Sequence, residues 1–363
     1  MHSAKLFFVF LIVAASCGLL LSQNQTGSPV LPIGKPVQIK APLGLPPVVI
    51  PPDNPPTAET IALGRRLFYD PILSLDQSVS CASCHSPQAG FGDSRQFSEG
   101  VGKKLGSRHS PPIVNAAYFD VQFWDGRAQS LEKQAEGPVQ NPVEMANTLL
   151  TVEQRLNADP SYREQFAAAW GRRPITYEMV GKSIASFERT VVSGNSPFDR
   201  WKYGHDKRAV DIAVKRGYDV FTSKKKGNCA VCHTIGEKYA LFTDNKFHNV
   251  GVGVNAGEFV DVGLFAVTHN EADKGKFKTP CLRNLALRAP YMSDGSLKDL
   301  KQVIDFYIGA GNSNPNMDKE IHALGFLSGQ ERSDLHAFLN SLSGEIPPNV
   351  GAPEAVISQV NGK

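Results

Sequence analysis

Cys81-Ala82-Ser83-Cys84-His85 recurs as Cys229-Ala230-Val231-Cys232-His233, and this repeated pentapeptide decides how the chain is read. Two thiols spaced in this way on a turn can each form a thioether to a haem vinyl group, and the adjacent imidazole then reaches the iron. A zinc ribbon sets its cysteine pairs roughly 15–20 residues apart, whereas these pairs are separated by most of a domain. A thiol redox pair has no use for the trailing histidine in both copies. The pattern predicts two covalently bound haem c groups, one held by Cys81, Cys84 and His85, the other by Cys229, Cys232 and His233.

Working outward, the two pentapeptides belong to two copies of one unit. Phe91-x-Asp93 is answered by Phe242-x-Asp244, and Gly100-Val101-Gly102 by Gly251-Val252-Gly253. Ser110-Pro111 with Asn115 matches Thr279-Pro280 with Asn284. Ten residues after each asparagine comes Asp-Gly, at Asp125-Gly126 and Asp294-Gly295, and five beyond each glycine a leucine, Leu131 and Leu300.

The copies differ where it matters. Twelve residues past the glycine the first has Pro138 and the second Tyr307. If this element covers the open face of each haem, one iron faces a residue that cannot ligate and the other a residue that can. The alternative is that Tyr307 is a half-buried aromatic on the apolar face with Val303, Ile304 and Phe306. Six residues past Pro138 lies Glu144. A carboxylate beside an open haem face can take a proton from bound hydrogen peroxide and return it to the leaving oxygen, giving water and a ferryl iron. The alternative for Glu144 is a solvated surface charge.

The rest of the chain sets the frame. It has 363 residues, 41% of them hydrophobic and 20% charged, with a formal net charge of +3. That composition suits two globular domains and excludes a nucleic-acid binder or a disordered chain. Residues 1–22 read as a secretory signal, with Lys5 before the apolar run Leu6 to Leu21. Cys17 after Ala14-Ala15-Ser16 offers lipid anchoring as the lesser alternative. Residues 23–56 are a linker, with ten prolines between 29 and 56, and form a spacer or a surface strap. The domains are read as 57–205 around the first haem and 206–345 around the second, followed by a tail, 346–363. Patterns within them are mostly helical, with no sustained strand alternation. Ser328 and Glu331 have capping-box spacing ahead of Leu335, Phe338, Leu339 and Leu342.

From Thr57 to Gly344 the chain resembles the bacterial di-haem cytochrome c peroxidase family, which includes MauG of methylamine utilisation. The resemblance is carried by the two haem motifs and by Gln122-Phe123-Trp124-Asp125-Gly126-Arg127, Gly137-Pro138-Val139, Val143-Glu144-Met145, Ser193-Gly194-Asn195-Ser196-Pro197-Phe198-Asp199-Arg200, Thr279-Pro280-Cys281-Leu282-Arg283-Asn284 and Ala289-Pro290-Tyr291-Met292-Ser293-Asp294-Gly295. It implies a mostly α-helical protein of two tandem cytochrome-c-like domains, acting in the periplasm as a peroxide-dependent oxidoreductase. The first haem would be the peroxide site and the second the electron-entry or charge-storing site. Glu144 matches the family's acid/base glutamate, and Trp124 the tryptophan between the haems. A calcium ion between the haems is also implied, on the carbonyls of Arg288 and Pro290 and an asparagine side chain.

Four positions depart from the family pattern. Val101 stands where histidine-gated peroxidases carry the histidine that caps the resting peroxide haem. Tyr307 stands at the methionine position of those enzymes, as in MauG-like members. His109 replaces the calcium asparagine, and a neutral imidazole is a poor ligand for a hard cation. Ser293 replaces a common histidine. Tyr307 and Val101 favour oxidation of a protein side chain over peroxide removal with a small cytochrome or copper-protein donor, although Gly227 stands where MauG carries a tryptophan. A non-catalytic electron-transfer cytochrome is the reading from another class. Met292 and Met317 rival Tyr307 as ligands. His205, His248, His269, His322 and His336 read as surface or hydrogen-bonded residues, and Cys281 as a buried apolar one.

Overall fold

The computed structural model of the protein describes residues 30–354 and Val356. The signal segment with Cys17 and the last residues of the tail lie outside the described residues. Among these, no helix is long and apolar enough to cross a membrane.

The first domain contains α1 (Ala58–Tyr69), α2 (Leu131–Gln134), α3 (Glu136–Gln140), α4 (Leu149–Ala158), α5 (Pro160–Trp170) and α6 (Tyr177–Glu188). The second contains α8 (Ile212–Thr222), α9 (Phe265–Thr268), α10 (Leu300–Ile308) and α11 (Gly329–Asn340). α7 (Pro197–Lys202) precedes the sequence boundary at 205 but packs with the second domain, because Phe198 is buried against Phe242 and Phe338. The sheet content is two short antiparallel ribbons. In one, β1 (Phe247–His248) pairs with β4 (Phe277–Lys278); in the other, β2 (Val254–Asn255) pairs with β3 (Glu258–Phe259). The fold class expected from the sequence, mostly helical in two tandem haem domains, is the one observed.

Each domain is built on one crossed helix pair. α1 begins at a reciprocal cap, in which Thr60 N–H donates to Thr57 Oγ1 and Thr57 N–H to Thr60 Oγ1. It crosses α6 at Gly64, where a Cβ would stand 1.8 Å from the Ser183 carbonyl oxygen. The second domain repeats the device. α8 crosses α11 at Gly217, where a Cβ would stand 2.0 Å from the Asp334 carbonyl oxygen. Only glycine lets two helix backbones approach so closely. α11 starts at the expected capping box of Ser328 and Glu331. Its Leu335, Phe338 and Leu339, with Leu342 just beyond, are buried in the second core.

The repeat read from the sequence is visible in the backbone. Asn115 and Asn284 both adopt a left-handed conformation and are fully buried. Each donates through Nδ2 to a carbonyl of a distant segment, Ser193 and Gly344, and accepts that residue's N–H.

The proline-rich segment is a strap rather than a free spacer. Ile33 N–H donates to Ala169 O in the first domain, and Gly44 O accepts from Ala240 N–H and Arg283 Nη2 in the second. Arg283 is fully buried and forms a two-pronged pair with Asp199 at 2.7 and 2.9 Å. In return the C-terminal tail folds back on the first domain. Tyr69 Oη donates to Val350 O at 2.8 Å, and Val350 and Val356 are buried against the Phe68 cluster.

Candidate functional site

Each pentapeptide forms a single tight turn that opens a cavity. In the first, the N–H groups of Cys84 and His85 both donate to Cys81 O, at 3.1 and 3.0 Å. In the second, His233 N–H donates to Cys229 O at 2.9 Å. The four motif cysteines form no disulfide, which leaves their sulfurs for thioether bonds to haem. Burial lowers both histidines, His85 to about 4, which keeps the imidazoles neutral with a lone pair to offer. His233 Nδ1 sits 2.9 Å from the Phe242 carbonyl, which fixes the proton there and frees Nε2 for a metal. His85 Nδ1 is buried near the equivalent Phe91 carbonyl without reaching hydrogen-bond geometry. Two apolar cavities, each with paired thiols and a neutral imidazole on its wall, fit two haem c groups.

The segments that carry Pro138 and Tyr307 differ in structure. In the first domain the helix breaks between α2 and α3. Pro138 has no N–H to offer Gln134 O in the preceding turn, and Tyr177 Oη donates to the neighbouring Ala135 carbonyl at 2.7 Å. Pro138 and Glu144 line the cavity of His85. In the second domain α10 runs unbroken, and Tyr307 lines the cavity of His233. Its hydroxyl has no hydrogen-bond partner among the described residues. Burial, then the nearby cysteines, hold it well above the ordinary tyrosine range, so it ionises here only beside a cation. Of the rival methionines, Met292 lines this cavity, while Met317 Sδ accepts from Asn314 Nδ2 at 3.5 Å.

Glu144 is held from two sides. Its Oε1 accepts from Asn141 Nδ2 at 2.6 Å, and Asn141 Oδ1 accepts from Val143 N–H at 3.1 Å, so the amide orientation is determined. Burial raises the carboxyl above its usual range, against the lowering effects of the Asn141 bond and Arg127. The Glu144 carbonyl accepts from Val101 N–H at 2.7 Å. A Cβ on neighbouring Gly100 would stand 2.2 Å from Val143 O, so this loop is pressed against the glutamate's backbone. Sequence reasoning missed Asn141, and it missed Glu188, a buried carboxyl on the same wall that burial pushes up to about 8.

Trp124 lines both cavities. Its Nε1–H donates to His109 O at 2.8 Å, and its carbonyl accepts from Lys278 N–H at 2.8 Å. His109, Lys278 and Arg288 share that dividing wall. His248 is ion-paired between Asp244 and Asp318, and Cys281 is buried, both in keeping with structural roles.

A family model described as di-haem cytochrome c peroxidase matches residues 58–207, and one described as cytochrome c matches residues 214–343. The methylamine utilization protein MauG of Methylorubrum extorquens is 42% identical over 302 residues, covering 83% of this chain and 82% of that protein. Cytochrome c551 peroxidase of Pseudomonas aeruginosa is 36% identical over 291 residues, covering 78% and 79%. Among solved structures, a MauG-like protein associated with microbial copper homeostasis aligns with a TM-score of 0.77 at 33% identity, covering 86% of this chain and 98% of that one.

Proposed function

The chain belongs to the bacterial di-haem cytochrome c peroxidase family, which includes the MauG proteins, and from that premise we propose that it uses hydrogen peroxide to oxidise a protein partner in the periplasm. The observation that carries the reading is the asymmetry of the two cavities: Pro138 with Glu144 in one, Tyr307 in the other.

Bound haem supplies the iron at which peroxide is reduced in the first cavity and an oxidising equivalent is held in the second. The remaining work falls to protein groups. The Glu144 carboxylate accepts a proton from the near oxygen of peroxide and delivers it to the departing one. Burial brings its proton affinity closer to neutrality, which eases the second half of that transfer. Asn141 holds one carboxylate oxygen and leaves the other for the substrate. Pro138 offers no ligand and Val101 no side chain able to coordinate, so the first cavity needs no reductive opening. Tyr307, on the wall of the cavity that also holds His233, would as tyrosinate give a hard anionic ligand that favours the oxidised metal. Trp124 lines both cavities and would pass electrons between them.

One observation favours a small cytochrome or copper protein as reductant instead. Gly227 stands where MauG has a tryptophan, and a Cβ there would meet Val220 O at 2.7 Å, so the backbone leaves no room for a side chain. Stopped-flow mixing with peroxide separates the two. A persistent oxidised spectrum that decays only on adding the partner supports protein oxidation. Rapid multiple turnover of a reduced small cytochrome refutes it in favour of the second reading.

A further inference from the structure

The wall between the two cavities carries buried positive charge with no protein anion to balance it. Arg288 is 9% exposed and lines both cavities. Its Nη2 donates to Cys281 O at 2.6 Å, its buried Nε has no partner, and no carboxylate pairs with it among the described residues. Its stem lies over Gly90 of the first domain, where a Cβ would be 3.2 Å from Arg288 Cγ, so the side chain spans the domain junction. Lys278, 6% exposed on the same wall, has its ammonium over the Phe119 ring at 3.7 Å and makes no ion pair. A guanidinium left unpaired in such a place is strongly disfavoured, so an anion is called for.

The anion is at hand in the cofactor. A haem c is fixed through its vinyl edge by the cysteines, and its carboxylates lie on the opposite edge. None of the motif cysteines belongs to the wall that both cavities share.

That same region would have to accept any calcium between the haems, and its donors do not suit one. His109 Nδ1 faces two carbonyls, Arg95 O at 3.1 Å and Gln96 O at 3.2 Å, and so carries the proton. What remains to His109 is a neutral nitrogen, a poor donor to a hard cation. A divalent ion set beside the uncompensated Arg288 guanidinium would be repelled in a medium that screens charge weakly.

We propose that the Arg288 guanidinium is the resident cation between the two haems, pairing with their carboxylates, and that this protein works without calcium. The proposal rests on the di-haem reading, which a pyridine haemochrome assay of two haems per chain checks separately. The test uses the holoprotein. After gel filtration in EGTA, the wild type should retain two haems and no stoichiometric calcium by elemental analysis. Its absorption spectrum, melting temperature and both midpoint potentials should not move when calcium chloride is added. Arg288→Thr should lower both midpoint potentials, because losing a nearby cation favours ferric iron, while Arg288→Lys should keep them near wild type. One calcium per chain whose removal shifts the spectrum would overturn the proposal, as would unchanged potentials in a fully loaded Arg288→Thr. Should that variant fail to load haem, the EGTA result and the Arg288→Lys potentials still decide.

Discussion

Replacing Glu144 by glutamine removes a base while disturbing little else. Asn141 is oriented by its bond from Val143 N–H, so its amide group still donates to the oxygen of a glutamine at 144. The main-chain bond from Val101 to the residue 144 carbonyl is untouched. Stability should therefore change by less than about 1 kcal/mol, within the range of a volume-conserving swap. The lost proton transfer is worth about 10²–10⁴-fold, or about 3–5 kcal/mol of barrier. Stopped-flow recording of the peroxide-induced Soret change should show that loss in the second-order rate constant. The pH profile gives a second signature. The base must be ionised to act, and burial raises its pKa above the ordinary 4.5. The wild-type rate should thus fall as the solution is acidified through that raised value, and Glu144→Gln should lack this acid limb. A variant with the wild-type rate and the same acid limb would refute Glu144 as the base.

Three further outcomes follow from the geometry. Tyr307→Met should raise the midpoint potential of the second haem and alter its low-spin electron paramagnetic resonance signal; an identical signal would point to Met292, the other candidate on that wall. Arg283→Met strands a fully buried Asp199 and releases Gly44 O, and should cost about 3–5 kcal/mol in chemical denaturation. Glu188, pushed up to about 8 by burial, is neutral in the fold and ionisable in the unfolded chain. Its folded pKa lies above the unfolded one, so the stability it contributes at acid pH is lost as pH rises toward 8. Relative to Glu188→Gln, the wild type should lose on the order of a few kcal/mol across that window, and parallel stability curves would contradict the assignment.

The chemistry was more legible in the sequence than the architecture holding it. The paired pentapeptides, the Pro138/Tyr307 contrast and the Asn115/Asn284 match are carried by side chains at fixed spacing; the structure sets Pro138 and Tyr307 on the walls of different cavities and gives both asparagines the same hydrogen bonds. The helix crossings at Gly64 and Gly217 were not legible, because a glycine inside a helix adds nothing to a hydrophobic period. The hold on Glu144 from Val101 escaped for another reason: it is a main-chain bond, which any residue could make. Arg288 was read only for its carbonyl, since nothing in one sequence says that a long cationic side chain turns inward.

The strap and the tail cross in opposite directions, the beginning of the chain reaching the second domain and its end returning to the first. Two such ties, at separate points, oppose any motion that would draw the domains apart. Haems held in the two cavities would then be kept from separating. Electron tunnelling depends steeply on distance, so ties of this kind would protect the exchange between the haems from opening of the domain junction.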